Sequence, residues 1–277
     1  MPIANASIAV CSWSLQPTSA IELIERLAAV NARSVQLALT PLVEHDAAWH
    51  DTFELLRDAG IEVISGMLET VGEDYSTLDT IRASGGVVPD GSWSATEARA
   101  RKIARLAGMH GVTLVTLHAG FIPHEASALR DTLFARLRAL SAIFAAQGAK
   151  LAFETGQESA DTLAHALDAL GDETIGVNFD PANMILYGMG DPVAAATLLA
   201  PYIVQAHIKD AQSATEAGAW GSEVRVGTGS VDWPAFLAAL NQAPASIRLA
   251  IEREAGVERV ADIRAARVVL DRVLGGK

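Results

Sequence analysis

Eight short apolar or β-branched runs, each followed by an amphipathic stretch, constrain this 277-residue chain more than any other feature of its sequence. The runs are Ser7–Cys11, Ser34–Leu39, Ile61–Met67, Val112–His118, Lys150–Glu154, Thr174–Asp180, Ile203–Ile208 and Ile247–Glu252. Helical patterns follow them over Ser19–Val30, Ala47–Ala59, Ala95–His110, Ala126–Gln147, Ser159–Leu170, Pro192–Leu199, Trp233–Asn241 and Val260–Leu274. Strands separated by helices form parallel βαβ units, because a parallel pair needs a long crossover that hairpins cannot supply. Eight such units in a chain of this length favour a closed (β/α)8 TIM barrel, one α/β domain over residues 1–277, above an open doubly wound sheet. Gly60, Gly111 and Gly148 fall between a helix and the next strand, where a C-cap glycine belongs.

Two connections are long, Glu69–Ser94 and Asp210–Val231, and each follows a strand. That puts both on the face where barrel active sites are built. The first, with Gly85-Gly86 and Pro89-Asp90-Gly91, reads as a lid, a rigid cover or an oligomer contact.

Half of the residues are apolar but only 5% are aromatic, so alanine, leucine and valine have to fill the interior. The formal charge of −12, from 21 basic and 33 acidic residues, argues against nucleic acid as a partner. Cys11 is the single cysteine, excludes an intramolecular disulfide and reads as a small apolar residue of the first strand. Met1–Ser14 has no charged segment followed by an apolar one, and no apolar run approaches 18 residues. The expectation is a soluble cytoplasmic protein with no membrane partner.

The chemistry sits at the strand ends. The fifth strand ends in Glu154, the sixth in Asp180, the seventh contains His207 and the eighth ends in Glu252. Neighbouring strand ends of a small barrel are close enough for these four side chains to reach one point. Three adjacent carboxylates repel each other unless a cation or protons neutralise them, and a divalent ion held by three carboxylates and one imidazole removes the conflict. Such a mixed oxygen and nitrogen set suits manganese, magnesium, cobalt or zinc. Manganese is the ion expected.

The phrases Asn178-Phe-Asp-Pro-Ala-Asn183-Met, Val204-Gln-Ala-His-Ile-Lys-Asp210, Gly227-Thr-Gly-Ser-Val-Asp232 and Ile251-Glu-Arg-Glu254 resemble the xylose isomerase-like barrel superfamily, and within it the sugar phosphate isomerase/epimerase branch. The resemblance implies a small-molecule sugar substrate, a homodimer or homotetramer, and a metal held by Glu154, Asp180, His207 and Glu252. In the family's ketose 3-epimerases the two glutamates also act as proton acceptor and donor on opposite faces of the substrate, which assigns those roles to Glu154 and Glu252. The function implied is an isomerase or epimerase working through an ene-diolate. The chain departs from many such epimerases in carrying Asn183 three residues after Asp180, where they have a histidine. It also has Lys209-Asp210 after His207, where they have an arginine. A dehydratase or lyase of a keto or cyclic sugar fits the same ion and the same α-proton removal. An endonuclease IV-like phosphodiesterase needs more histidines than these strand ends offer, and a non-catalytic sugar-binding relative needs no pair of glutamates.

Further substrate contacts are expected from His118 at the end of the fourth strand and from Asn183. Lys209, which shares the parity of His207, either meets a substrate oxygen or offsets the carboxylates, Glu254 included. Arg225 with Gly227-x-Gly229-Ser230 is either an anion-binding loop or a glycine turn leading to a helix capped by Asp232. Of Trp13, Trp93 and Trp220, all at strand ends or in loops, at least one is expected to stack on a sugar ring. Trp13 and Trp220 are the candidates taken forward.

Overall fold

A computed structural model describes residues 8–44, 47–216, 219–243 and 246–275. Ser7, the first residue of the first expected run, lies outside them. The barrel strands are β1 (Ile8–Cys11), β2 (Ser34–Ala38), β3 (Glu62–Met67), β4 (Leu114–Leu117), β5 (Lys150–Glu154), β6 (Ile175–Phe179), β7 (Ile203–Ile208) and, after a short hairpin, β10 (Arg248–Ile251). The hairpin is β8 (Asp210–Gln212) paired antiparallel with β9 (Ser222–Val224). The barrel closes in the order β1-β10-β7-β6-β5-β4-β3-β2, every pair parallel.

The helices are α1 (Ala20–Ala29), α2 (Thr40–Val43), α3 (Thr52–Asp58), α4 (Leu78–Ser84), α5 (Asp90–Met109), α6 (Ala128–Ala145), α7 (Ala160–Leu170), α8 (Pro181–Leu186), α9 (Pro192–Leu199), α10 (Trp233–Leu240) and α11 (Arg259–Gly275). Several start on a side-chain cap that ends the preceding loop. Ser19, Ser127, Ser159, Asp191 and Asp232 each accept the amide three residues on. Asp232 is the cap expected from the sequence. No helix among the described residues is long and apolar enough to cross a membrane.

Four expectations need correcting. The stretch Ala47–Ala59 is not one helix, because Asp51 takes φ +58° and separates a 3-10 turn, Ala47–Trp49, from α3. The expected loop Glu69–Ser94 contains α4, and α5 begins at Asp90 rather than Ala95. Gly91 and Ser92 read as turn residues, but Trp93 packs on the core under the Arg136 guanidinium, and that packing outweighs local propensity. The short helix α8 after β6 went unrecognised. The hairpin β8–β9 occupies part of what was read as an irregular loop.

Apolar packing lies chiefly between sheet and helices, where leucine, valine and alanine form one continuous cluster. The lumen is different. It holds the small residues Ala9, Cys11 and Ala250 with Ile64, and beside them a wholly buried polar layer of Gln36, Ser65, Thr116, Asn178 and Gln205. Gln205 Nε2 donates to Gln36 Oε1 (2.8 Å) and Asn178 Oδ1 (3.1 Å), Gln36 Nε2 to Thr116 Oγ1 (2.9 Å), and Ser65 Oγ to Gln205 Oε1 (2.6 Å). Every amide is thereby given one orientation, and this layer is the floor on which the strand-end residues stand. A cavity of about 650 Å³ opens at the opposite, N-terminal end, lined in part by Glu62, Lys150 and Arg248.

Candidate metal centre

Strand parity carries polar residues upward from that floor. Asn178 leads to Asp180, and Gln205 to His207 and Lys209, each two residues on and on the same side of its strand. Glu154, Asp180, His207 and Glu252 are buried, and one ligand atom from each lies within 4.8 Å of all the others. His207 Nδ1 stands 3.5 Å from Glu154 Oε1, 3.4 Å from Asp180 Oδ2 and 3.3 Å from Glu252 Oε2. The ring's other nitrogen, Nε2, lies 2.9 Å from Gln36 Oε1, which can only accept, and 3.1 Å from Asn178 Nδ2. Gln36 therefore holds the Nε2 proton and leaves Nδ1 facing the three carboxylates, free to give up its own proton to a cation.

Two buried atoms at this point, His207 Nδ1 and Asp180 Oδ2, have no hydrogen-bond partner. Buried polar atoms are rarely left so, and here both face one spot surrounded by oxygen ligands. The residues fit a small divalent cation. The remaining carboxylate atoms are held from behind. Trp13 Nε1 donates to Glu252 Oε1 (2.7 Å) and Asn178 Nδ2 to Glu154 Oε2 (3.1 Å), while Asn183 Nδ2 reaches Glu154 Oε1 (2.9 Å), the oxygen that also faces His207. Asp180 Oδ1 accepts the Asn183 amide (2.9 Å) and so caps α8, leaving Oδ2 for the centre.

Charge within the cluster is balanced internally. Burial alone would depress the His207 pKa, but Glu252 and Glu154 outweigh it and hold the ring well above its ordinary value. Burial would raise Glu154 and Glu252; His207 with His118 overcomes it at the first, and Lys209 with His207 at the second, so both carboxyls are lowered. Lys209, itself buried, lies 2.9 Å from Glu252 Oε2, 2.5 Å from Glu254 Oε2 and 3.2 Å from Asn183 Oδ1, with Asp180 Oδ2 at 3.7 Å. Its ammonium is thus placed on the carboxylates. Burial pushes the Cys11 thiol up to about 12, which keeps it an inert packing residue.

A cavity of about 740 Å³ opens above the cluster. Trp13, His118, Asn183, Lys209 and Trp220, all candidates from the sequence, line it. His118 Nε2 lies 3.7 Å from Glu154 Oε1 and its Nδ1 is unpartnered, and Glu154 and Glu73 hold its pKa up against the effect of burial. Arg225 is exposed and does not line the cavity. The loop amides beside it do not face an open anion site either, because Asp210 takes Gly227 N, Gly229 N and Val231 N. Sequence reasoning missed Tyr75, from the segment before α4, and Tyr187, at the end of α8, both of which line the cavity. Met67, at the end of β3, lines the cavity too.

A family model for xylose isomerase-like TIM barrels matches residues 24–272. The chain belongs to that family. Among solved structures, a xylose isomerase domain protein from Planctomyces limnophilus is 28% identical, with all of this chain and 98% of that one covered at a TM-score of 0.84. A xylose isomerase-like TIM barrel protein from Mycobacterium smegmatis, in complex with magnesium, is 18% identical over 100% and 99% of the two chains, with a TM-score of 0.75. D-allulose 3-epimerase from Methylomonas sp., in complex with D-allulose, is 15% identical over 96% of each chain, with a TM-score of 0.70. No curated protein matches by sequence.

Proposed function

We propose that this chain is a divalent-cation-dependent isomerase or epimerase of a small sugar or sugar derivative, acting by removal of a proton α to a carbonyl. The observation that carries the reading is that two glutamates from non-adjacent strands converge on one cation-sized point. Glu154 and Glu252 come from β5 and β10, which β6 and β7 separate, and approach His207 Nδ1 at 3.5 and 3.3 Å. Moving a proton at a carbon centre needs a base on one face, an acid on the other, and a positive centre at the carbonyl oxygen. Solved structures of similar fold include one in complex with magnesium and one in complex with D-allulose.

A cation bound here supplies the electrophile that polarises the carbonyl. Glu154 and Glu252 would take and return the proton; Asn178 and Asn183 hold the two oxygens of Glu154, and Trp13 and Lys209 those of Glu252, which fixes the orientation of both carboxylates. Lys209 keeps Glu252 ionised, and His118 supplies a donor beside Glu154.

Incubating the magnesium- or manganese-loaded protein with a panel of ketoses in deuterated water tests the reading. Deuterium enters at a carbon α to the carbonyl, and Glu252→Gln lowers the rate by about 10²–10⁴, the usual worth of a positioned base. Exchange that survives both Glu154→Gln and Glu252→Gln would remove the glutamates from the mechanism, and purified protein without a stoichiometric divalent ion would remove the cation.

Loading the cation also has a proton signature. His207 is held protonated in the cation-free cluster, because its pKa is raised, and the ion needs the same Nδ1. Binding therefore releases a proton wherever the pH lies below that raised pKa, and the apparent affinity climbs about tenfold per pH unit there. Calorimetric titration with magnesium in two buffers of different ionisation enthalpy measures the release. Equal heats in both buffers at pH 6 contradict it.

A further inference from the structure

The cavity above the cluster is too large for one sugar ring. A hexose has twelve heavy atoms, and even at a water's liquid share of about 30 Å³ for each it fills about 360 Å³, half of the 740 Å³ present. The surplus space has a definite wall. Tyr187 ends α8 and Trp220 precedes β9, their ring centroids 5.8 Å apart and steeply inclined, and Gly221 N bonds Leu186 O at 3.0 Å to fasten the two segments. Phe121 continues the aromatic row 6.1 Å beyond Tyr187. Seven residues at about 1.5 Å each put Tyr187 roughly 10 Å along α8 from Asp180. A pyranose with its hydroxyls spans about four bonds of 1.5 Å, roughly 6 Å, less than the backbone distance from Asp180 to Tyr187.

The charge pattern narrows the ligand further. Among the described residues lining the cavity are four glutamates, Glu69, Glu73, Glu223 and Glu254, no arginine, and one lysine. That lysine, Lys209, is already bound by Glu252 and Glu254. Arg253, just outside, is committed to Glu223 and Asp262. A phosphate or carboxylate on the outer part of the ligand would meet these acids, with His118, beside Glu154, the one other basic side chain among the described lining residues, whereas hydroxyl groups find acceptors.

We propose that the cavity contains a second subsite on the Tyr187–Trp220 wall, and that the substrate is an uncharged two-ring glycoside whose keto-sugar ring sits at the cation point and whose second ring stacks on that wall. The proposal rests on the reading of the site as a keto-sugar enzyme, and it assigns the outer half of the cavity a role which that reading leaves unfilled.

The test is calorimetric binding to the magnesium-loaded protein of four probes: D-fructose, D-fructose 6-phosphate, and the two-ring ketoses lactulose and maltulose. At least one two-ring ketose binds tenfold or more tighter than D-fructose, and the phosphate ester binds no tighter than D-fructose. Trp220→Ala brings the two-ring to one-ring affinity ratio close to one, and Trp220→Phe, which keeps a ring, retains most of it. Tighter binding of the phosphate ester, a ratio near one in the unsubstituted protein, a ratio unmoved by Trp220→Ala, or binding of none of the four overturns the proposal. The two readings fail separately. Two-ring binding without α-deuterium exchange leaves the subsite standing and removes the isomerase reading; exchange on D-fructose with no two-ring advantage does the reverse.

Discussion

Asp210→Asn is expected to destabilise the fold by about 4 kcal/mol or more, although the substitution changes neither size nor shape. Asp210 is 1% exposed and accepts five hydrogen bonds. Oδ1 takes the amides of Ala211 (2.9 Å) and Val231 (3.2 Å), and Oδ2 those of Gly227 (2.9 Å) and Gly229 (3.1 Å) and the indole N–H of Trp233 (3.2 Å). An ionised carboxylate is acceptor-only and suits such a nest of donors. An asparagine must point its NH2 at two or three of them, leaving those donors buried and unpaired at about 1–3 kcal/mol each. The glycine pair of the motif follows from the same arrangement. Gly227 has φ +85°, and a Cβ on Gly229 would lie 2.1 Å from Asp210 Oδ1. The expected loss is on the order of 10 °C in Tm for a chain of this size. Urea unfolding followed by circular dichroism measures it, and a loss under about 1 kcal/mol would show that the nest is not what holds the β8–β9 region.

Why this residue was illegible in the sequence is instructive. Asp210 was quoted as part of a motif, yet four of its five partners lie 17 to 23 residues on, in a segment whose path depends on the carboxylate itself. The glycines looked like an anion site because an anion does sit there, and it is the chain's own. The same contrast runs through the molecule. The eight strands and the four cluster residues could be read from the sequence because periodicity and strand parity are local. Gln36 could not, since its role in holding the His207 Nε2 proton comes from a contact across 171 residues between strands that are not neighbours. Trp13, read as a ring for the substrate, turned out also to hold Glu252 across 239 residues. A local signal for the polar floor did exist: Asn178 and Gln205 sit two residues before Asp180 and His207 and face the same way. Tyr75 and Tyr187 carried no such signal, because packing alone decides which loop side chains turn toward the cavity.

Lys209→Met is expected to make the fold depend on the cation. In the cation-free cluster three buried carboxylates, Glu154, Asp180 and Glu252, are balanced by His207 and Lys209. Burial would lower the Lys209 pKa, but Glu252, Glu254 and Asp180 outweigh it and raise it well above the ordinary lysine value. A group with a raised folded pKa contributes its full stabilisation below its unfolded pKa and loses it only as pH climbs through the folded one, so the contribution is complete across the neutral range. Methionine matches the stem's length and leaves Glu252 without its nearest positive partner, which by analogy with broken buried pairs costs about 3–5 kcal/mol in chelator. A divalent ion restores part of the missing charge, so saturating magnesium raises the variant's Tm by more than it raises that of the unsubstituted chain. The double variant Lys209→Met with Glu254→Gln separates the neighbours. Glu254 is half exposed and stays hydrated, so removing its charge recovers only a minor part of the loss. If Lys209→Met in chelator costs less than about 1 kcal/mol, and magnesium stabilises both proteins equally, Lys209 is not the internal counter-charge of this site, and its ammonium is left free to meet a substrate oxygen.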